Sequence, residues 1–254
     1  KTAYEIMPSL VGSEMCIRDS NCMEDLETKI RKTNGKKLIV TEGIFSMDGD
    51  WAQLDQISEL SEKHEMITIL DDAHGDFVLG RDGKGTSNFF NVEKKIDLYI
   101  SSLSKGLGSF GGYVSGKKSL IDLCVNTSKT FIYTSALPAS INQYSLQRLE
   151  SNREKYRKNL WKKINLFHTR LEEIELSTTS TSQIIPIVIG KEKTAIEFSK
   201  FLRKNGIFAQ AIRYPTVKKG QARIRISITE WLSEKEIEYT IQVLEKAKRR
   251  FNLK

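Results

Sequence analysis

The chain of 254 residues contains few cysteines, few prolines and no long hydrophobic run, and each shortage excludes a class of protein. Its three cysteines, Cys16, Cys22 and Cys124, lack the spacing of metal or redox motifs, so we expect a reducing compartment and no metal site. No apolar run approaches the roughly 18 residues of a membrane span, and no segment has the form of a signal peptide. With 39% hydrophobic residues and four prolines, the sequence is typical of a folded cytoplasmic protein without a membrane partner.

The net charge of +8 does not by itself indicate a nucleic-acid partner. The most basic stretches, residues 153–163 and 246–254, interleave apolar side chains with their lysines and arginines. This pattern is typical of solvated helix faces, so we predict no nucleic-acid binding.

The most informative segment runs from Ser101 to Gly116 and places one lysine, Lys105, between hydroxyl side chains and glycines. Upstream, Asp71 and His74 form an Asp-x-x-His sequence directly after the apolar run of residues 66–70. Such a run predicts a buried strand, and α/β sheets place their chemistry at the carboxyl ends of strands. The glycines after Lys105 would let the backbone approach a flat ring closely.

These side chains predict a site for pyridoxal phosphate (PLP), an aldehyde cofactor that binds a lysine amine. Lys105 would supply the amine, which must lose its proton before it attacks an aldehyde. The Asp71 carboxylate would pair with the pyridine nitrogen and keep it protonated, and His74 would hydrogen-bond the ring oxygen or move protons. The Ser102 hydroxyl, one helical turn before Lys105, would help to hold the phosphate.

Two glycine-rich sequences imitate nucleotide-binding motifs. Gly106 to Gly111 has the G-x-G-x-x-G spelling of a dinucleotide site, but residues 112–116 read as a strand where that motif requires a helix. Gly83 to Thr86 lacks the Lys-Ser/Thr step of a P-loop. We therefore reject a dinucleotide site and interpret the second sequence as a turn.

Residues 1–20 show neither helical nor strand periodicity, and the string from Met7 to Ser20 resembles translated sequencing-adaptor DNA. We expect this segment to be non-native and exclude it from the fold. Residues 21–140 are predicted to form part of a PLP-binding large domain, residues 141–178 a long connecting helix, and residues 179–254 a small α/β domain.

Strands alternate with helices from Asn21 onward, which predicts an α/β fold with a mixed or mainly parallel sheet in the large domain. The apolar periodicity predicts strands over residues 37–40, 66–70, 96–100, 112–116, 183–189, 207–212 and 222–228. It predicts helices over residues 22–33, 54–64, 119–126, 139–176, 192–205 and 233–251.

With Thr41 to Asp50 added to the two motifs above, the chain from residue 21 onward resembles the α-oxoamine synthases, which are PLP enzymes of fold type I. The resemblance implies an aspartate aminotransferase-like fold with a large and a small domain. The strings Lys105 to Val114, Phe131 to Pro138 and Ala211 to Val217 are similar to the branch of this family that serves biotin synthesis.

The resemblance also implies roles for individual residues. Lys105 would carry PLP, Asp71 would contact its pyridine nitrogen, and Ser102 would contact its phosphate. The other implied contacts are those of Ser46, Ala73 and His74 with PLP, of Thr134 and Ser135 with the phosphate bound by the partner subunit, and of Thr216 and Arg225 with the substrate. Contacts across subunits imply a homodimer. Arginine suits the carboxylate of an amino acid because its donors form a planar fork.

The reaction implied is a decarboxylative condensation of L-alanine with a pimeloyl thioester, carried on CoA or on an acyl carrier protein, to give 8-amino-7-oxononanoate. Two alternatives stay open on the motifs alone. One is a glycine-using relative, 2-amino-3-ketobutyrate CoA ligase or 5-aminolevulinate synthase, and the other is a non-catalytic synthase-like subunit. Family members carry a further long segment ahead of the position of Asn21, so we expect this chain to be a fragment with weak or no activity alone.

Overall fold

The computed structural model describes residues 21–253, so the segment 1–20, expected to be non-native, lies outside the described residues. The helices are α1 (Met23–Lys32), α2 (Leu54–Lys63), α3 (Gly85–Phe89), α4 (Lys118–Thr127), α5 (Lys129–Ile132), α6 (Ala139–Glu150), α7 (Arg153–Glu173), α8 (Glu192–Lys204) and α9 (Glu234–Phe251). The strands are β1 (Leu38–Glu42), β2 (Ile67–Asp71), β3 (Leu98–Ser102), β4 (Gly112–Gly116), β5 (Ile184–Gly190), β6 (Gln210–Ile212) and β7 (Ala222–Ser227). Over the described range, every helix is too short or too polar to cross a bilayer.

The larger sheet has the strand order β1-β2-β3-β4, in which β1, β2 and β3 are parallel and β4 runs antiparallel to β3. This arrangement confirms the predicted mixed, mainly parallel sheet. The register places Leu70 between Thr41 on β1 and Tyr99 on β3. The carboxyl ends of the three parallel strands consequently lie at one edge of the sheet.

Alternate residues of β1 and β2 are buried, since successive side chains of a strand point to opposite faces. Ile39 and Leu70 face helices α1 and α2, whose apolar residues recur at helical spacing. The remaining members of this core are Leu26, Ile30, Ala52, Leu54, Ile57 and Val92. On the opposite face, Leu38, Val40 and Ile67 are 56%, 62% and 41% exposed. In the described part of the chain, β1 and β2 are thus covered on one face and present apolar side chains to solvent on the other.

The connecting helix expected over residues 139–176 is two helices, α6 and α7, which meet at Ser151 and Asn152. The Ser151 hydroxyl donates to Arg148 O at 2.8 Å, and the Asn152 side chain accepts from Lys155 N at 3.4 Å. These side chains satisfy a carbonyl at the end of α6 and an amide at the start of α7, groups that a continuous helix would pair within its own backbone. The predicted long helix is therefore divided in two at these residues.

The smaller sheet has the strand order β5-β7-β6 with antiparallel pairs, and helices α7, α8 and α9 contribute to its core. Core residues that are at most 2% exposed include Ile164, Phe167, Ile185, Ile187, Phe198, Leu202, Ile224 and Leu244. Helix α9 begins with a capping box, in which Ser233 N donates to the Glu236 carboxylate at 2.7 Å and Glu236 N donates to the Ser233 hydroxyl at 3.2 Å. This core holds β7, and with it Arg225, in a fixed position.

Polar contacts join the two sheets near the carboxyl ends of the parallel strands. The buried guanidinium of Arg223 on β7 pairs with the Asp48 carboxylate and lies 3.4 Å from Met47 O, in the loop after β1. Trp161 Nε1 on α7 donates to Val78 O at 2.9 Å, in the segment after β2. These contacts hold the loops that follow β1 and β2 against the small domain.

Replacing Ile187 by alanine should destabilise the protein, whereas replacing its neighbour Val188 should not. Ile187 is 2% exposed inside the small core, and Val188 is 58% exposed on the other face of β5. Removing buried methyl groups leaves a cavity and costs about 2–5 kcal/mol, while truncations at the surface stay within about 0.5 kcal/mol. Urea unfolding followed by circular dichroism measures both variants, and equal losses would contradict the assigned faces.

Candidate functional site

The candidate site begins where the parallel strands end, at Glu42, Asp71 and Ser102. Gly43 N donates to Asp71 O at 2.8 Å, and the amide of the next residue, Asp72, donates to the backbone of β3 at the same distance. The polar side chains that follow parallel strands meet at one edge of the sheet. The predicted Asp-x-x-His sequence, residues 71–74, accordingly leaves β2 between the ends of β1 and β3.

The loop between β3 and β4 brings Lys105 back over this edge. Leu103 N donates to Gly111 O at 2.9 Å and Gly108 N donates to Lys105 O at 3.0 Å, which closes the loop. Lys105 Nζ lies 3.0 Å from His74 Nε2. This contact unites the Asp-x-x-His sequence with the lysine segment.

The surroundings of His74 keep its ring uncharged at neutral pH. Burial lowers the pKa of the imidazole to about 4, and the positive charges of Lys105 and Arg225 act in the same direction, against the opposing effect of Asp71. A neutral imidazole can accept a hydrogen bond from an ammonium group. The short contact between His74 and Lys105 is thus a hydrogen bond and not a repulsive pair of cations.

Gln183, which the sequence analysis missed, supports His74 from the small domain. Its Nε2 donates to His74 O at 2.7 Å, from a position 109 residues further along the chain. Its Oε1 is buried without a partner among the residues that the structure describes. A buried amide oxygen without a donor costs free energy, so this atom marks a place where a donor belongs. In the sequence, Gln183 is marked only as a polar residue directly ahead of the apolar strand β5, which is a weak indication of a role in the site.

Asp71 is half-buried, and its Oδ1 accepts from Ala73 N at 3.1 Å. This bond closes a turn of the kind that aspartate favours and fixes the carboxylate at the end of β2. An ionised carboxylate has about four acceptor positions. Asp71 can therefore accept a further hydrogen bond from the N–H of a pyridinium ring. Ala73 contributes the backbone N–H that orients the Asp71 carboxylate.

Ser102 is the last residue of β3, so a loop separates it from Lys105 in place of the helical turn that was expected. Its Oγ lies 2.7 Å from Ser104 Oγ and accepts from Ser104 N at 3.3 Å. These local hydrogen bonds of short polar side chains stabilise the turn that follows β3. The two hydroxyls can donate to phosphate oxygens at the start of the lysine loop.

Ser46 and Arg225 meet at the same edge of the large sheet. Arg225 Nη1 donates to Ser46 O at 3.0 Å, while Ser46 N donates to Glu42 Oε2 at 2.8 Å. The charge of Arg225 contributes to the low pKa of His74, so the two side chains interact electrostatically. A guanidinium has five N–H donors, and one bond to Ser46 leaves it able to bind a carboxylate.

The structure does not bring every predicted residue to this cluster. Thr134 and Ser135 are exposed in the loop between α5 and α6, and Thr216 is exposed in the turn between β6 and β7. No hydrogen bond within the described residues joins any of the three to Lys105 or His74. Their roles stay predictions.

Residues 21–253 were also expected to hold neither a metal site nor a dinucleotide site. In that range no three His, Cys, Asp or Glu side chains form a group that could hold a metal ion. Cys22 and Cys124 are free thiols, and Cys16 lies outside the described residues. Gly106 to Gly111 leads into β4, as predicted, so the dinucleotide spelling lacks the helix that it requires.

The groups at this edge fit PLP. They offer an amine for its aldehyde, a carboxylate for its pyridinium nitrogen, a neutral imidazole for its ring oxygen and hydroxyls for its phosphate. The residues that would hold it are Lys105, Asp71, His74 and Ser102. The unpaired oxygen of Gln183, adjoining His74, is a further sign that this edge accommodates a polar group.

Known proteins resemble this chain over most of its length. Residues 16–244 match the family model described as aminotransferase class I and II. The 8-amino-7-oxononanoate synthase of Thermoanaerobacter pseudethanolicus is 36% identical over 250 residues, covering 96% of this chain and 63% of that protein. The 8-amino-7-oxononanoate synthase 1 of Bacillus subtilis is 37% identical over 236 residues, covering 91% of this chain and 60% of that protein. The chain thus spans about three fifths of the length of the curated relatives it matches.

Solved structures share the fold. The crystal structure of 8-amino-7-oxononanoate synthase from Francisella tularensis matches with a TM-score of 0.81 and 26% identity, over 99% of this chain and 74% of that chain. Serine palmitoyltransferase from S. paucimobilis, solved with PLP and myriocin, matches with a TM-score of 0.87 over 92% of this chain and 61% of that chain. Its 23% identity shows the fold alone. The expected PLP-enzyme fold of type I is confirmed, and the chain belongs to the aminotransferase class I and II family.

Proposed function

We propose that this protein is a PLP-dependent acyltransferase that condenses L-alanine with a pimeloyl thioester and gives 8-amino-7-oxononanoate for biotin synthesis. The observation that carries the proposal is the 3.0 Å contact between Lys105 Nζ and His74 Nε2 beside Asp71. The names of relatives at 36% and 37% identity support this reaction. Because the chain spans about three fifths of those relatives, the activity is proposed for a protein of the relatives' length.

PLP, when bound, supplies an aldehyde that joins to amines and a pyridinium ring that withdraws electrons from the neighbouring carbon. Lys105 would hold the cofactor and, once the amino group of the substrate replaces it, would take the proton from the substrate's α-carbon. His74 orients this amine and adds no second positive charge beside it. The Asp71 carboxylate would keep the pyridine nitrogen protonated.

Arg225 is proposed to bind the carboxylate of the amino acid. Its bond to Ser46 O at 3.0 Å fixes the side chain, so that less conformational entropy is lost when a carboxylate binds. Thr216, in the turn ahead of β7, is proposed to line the same end of the site. The substrate would then lie between Lys105 on the large sheet and Arg225 on the small one.

A homodimer and a cytoplasmic location are proposed with this function. Thr134 and Ser135 would reach the phosphate bound by the partner subunit. They follow an exposed apolar segment, in which Phe131 and Tyr133 are 62% and 84% exposed. Exposed apolar surface of this kind is typical of a protein interface.

Borohydride reduction of the chain after incubation with PLP is expected to attach the pyridoxyl group chiefly to Lys105. This lysine has a neutral imidazole beside it and polar groups that fit the ring and phosphate, whereas Lys117 is 74% exposed at its side chain and pairs with Asp97. Peptide mass spectrometry locates the label. Lys105→Arg should remove it and Lys117→Arg should not. Label spread evenly over surface lysines in both variants would contradict a PLP site.

Replacing Lys105 by methionine should raise the pKa of His74 from about 4 towards the unperturbed value of about 6.5. A neighbouring positive charge disfavours the imidazolium, so its removal raises the pKa, while burial, the larger cause, still holds the value below 6.5. NMR titration resolves His74 readily because the chain has three histidines. Lys117→Met serves as the control, and an unchanged His74 pKa in Lys105→Met would disprove the contact.

With a protein of the relatives' length, L-alanine and pimeloyl-CoA should together release CoA, whose thiol a chromogenic disulfide reports. Lys105→Ala should lower kcat by about 10³-fold, because the covalent attachment and the base are lost together. Glycine should be at least about tenfold poorer than alanine, the value of one methyl group in a fitted pocket. Thiol release with glycine but not with L-alanine would reject the proposed biotin reaction. Labelling of Lys105 by PLP without thiol release from either amino acid would favour a non-catalytic subunit.

A further inference from the structure

Two buried carboxylates lie directly behind the turn that carries His74. Asp72 is fully buried and Asp76 is 4% exposed, and they flank His74 in the sequence on either side. Burying a carboxylate costs free energy unless hydrogen bonds compensate for the lost water. The contacts of these two side chains accordingly show which parts of the fold they hold together.

Three donors from two other segments bind the Asp72 carboxylate. Thr86 N donates to Oδ2 at 2.7 Å, Thr86 Oγ1 donates to Oδ1 at 2.8 Å, and Tyr99 OH donates to Oδ2 at 2.8 Å. Thr86 lies in α3 and Tyr99 in β3. Asp72 thereby ties the start of the His74 turn to a helix and to the neighbouring strand.

Glycines surround this carboxylate so closely that a side chain at any of them would force it to move. A Cβ at Gly43, Gly75 or Gly85 would lie 2.2 Å from an Asp72 carboxylate oxygen. Gly85 also has a φ of +84°, which glycine adopts without strain. The sequence from Gly83 to Thr86, which imitates a nucleotide-binding motif, is therefore one wall of a pocket for a carboxylate of the protein itself.

Asp76 holds the other end of the same turn. Ser101 Oγ and Tyr113 OH each donate to Asp76 Oδ2 at 2.7 Å. Ser101 lies near the end of β3, just before the loop that carries Lys105, and Tyr113 lies on β4 just after that loop. One carboxylate oxygen thus connects the His74 turn to both ends of the lysine loop.

The ionisation of these groups agrees with their hydrogen bonds. Burial raises the pKa of Asp72 to about 6 and also raises the pKa of Asp76, while the donors act against burial and favour the charged forms. Burial and the adjacent carboxylates raise the pKa of Tyr99 and of Tyr113. Both phenols therefore keep their protons at neutral pH and act as donors.

We infer that Asp72 and Asp76 are positioning residues that clamp the turn of residues 72–76 and so hold the His74 ring at 3.0 Å from Lys105 Nζ. The inference rests on the proposed function only in that the proposed reaction uses the pair of His74 and Lys105. Asp71 and Asp72 are adjacent and serve opposite sides, since successive side chains at a strand end point in opposite directions. Asp71 faces the cofactor side, and Asp72 anchors the turn behind it.

The test uses the pKa of His74, measured by NMR titration of the protein without PLP. Asp72→Ala leaves three donors without their acceptor, so the turn should loosen, His74 should gain water and its pKa should rise by about one unit. Asp72→Asn should restore the pKa of the parent protein, because its oxygen can accept from Thr86 N and Tyr99 OH while its amide donates to the Thr86 hydroxyl. An unchanged pKa in folded Asp72→Ala, or an equal rise in both variants, would overturn the inference.

A milder pair of variants covers the case in which Asp72→Ala fails to fold. Tyr113→Phe removes one donor from Asp76 and should raise the pKa of His74 by a smaller amount, whereas Tyr239→Phe, which removes a hydroxyl donor from Asn205 O in the small domain, should not change it. Ile187→Ala, in the other core, controls for a general loss of stability. Equal His74 pKa values in the two tyrosine variants would also overturn the inference.

Borohydride labelling on the same proteins separates this inference from the proposed function. If Lys105 of the parent protein takes the label but Asp72→Ala leaves the pKa of His74 unchanged, the clamp is wrong and the PLP site stands. If Lys105 takes no label but the pKa of His74 rises in Asp72→Ala, the clamp stands and the PLP function is wrong.

Discussion

Parallel pairing of β2 with both β1 and β3 is the constraint on which the rest of the site depends. It brings the chain to the same edge of the sheet three times, at Glu42, Asp71 and Ser102, and the polar residues that follow each strand meet there. Strand β4 then runs back antiparallel to β3, so the loop between them stays at this edge. Lys105 approaches His74 for that reason, and a reversed β2 would place the histidine at the far edge.

Neutral donors, and not cations, stabilise the carboxylates behind this edge. Asp72 and Asp76 accept from hydroxyl groups and a backbone amide, whereas the buried Arg223 forms its ion pair at the domain junction. A lysine or arginine behind the turn would add a positive charge near His74, whose pKa Lys105 already lowers. Hydroxyl donors satisfy the buried oxygens without that effect, so the site keeps a single amine in contact with a neutral ring.

The sequence predicted most of the architecture because strands and helices leave local periods. The lysine loop could be singled out because glycines and hydroxyls around a lysine form a local pattern, and the role of Lys105 stays a prediction. Strand β6 begins at Gln210 and not at residue 207 as predicted. The amide of Ile207 donates to Leu202 O and so belongs to the end of α8. Gln183 and Arg223 escaped prediction for a different reason. They meet partners 109 and 175 positions away, and no local period records such contacts.

The domain junction determines how the two ends of the proposed substrate would be held. Lys105 and His74 belong to the large sheet, while Arg225 and Gln183 come from the small one. Arg225 donates to Ser46 O and Gln183 donates to His74 O, so both contacts end on main-chain carbonyls of the loops after β1 and β2. Main-chain carbonyls do not titrate, so both hydrogen bonds keep their acceptors as the pH changes. In the proposed reaction, a carboxylate held at Arg225 would fix one end of the amino acid while Lys105 acts on the other, and such fixed orientation lowers the barrier to proton transfer.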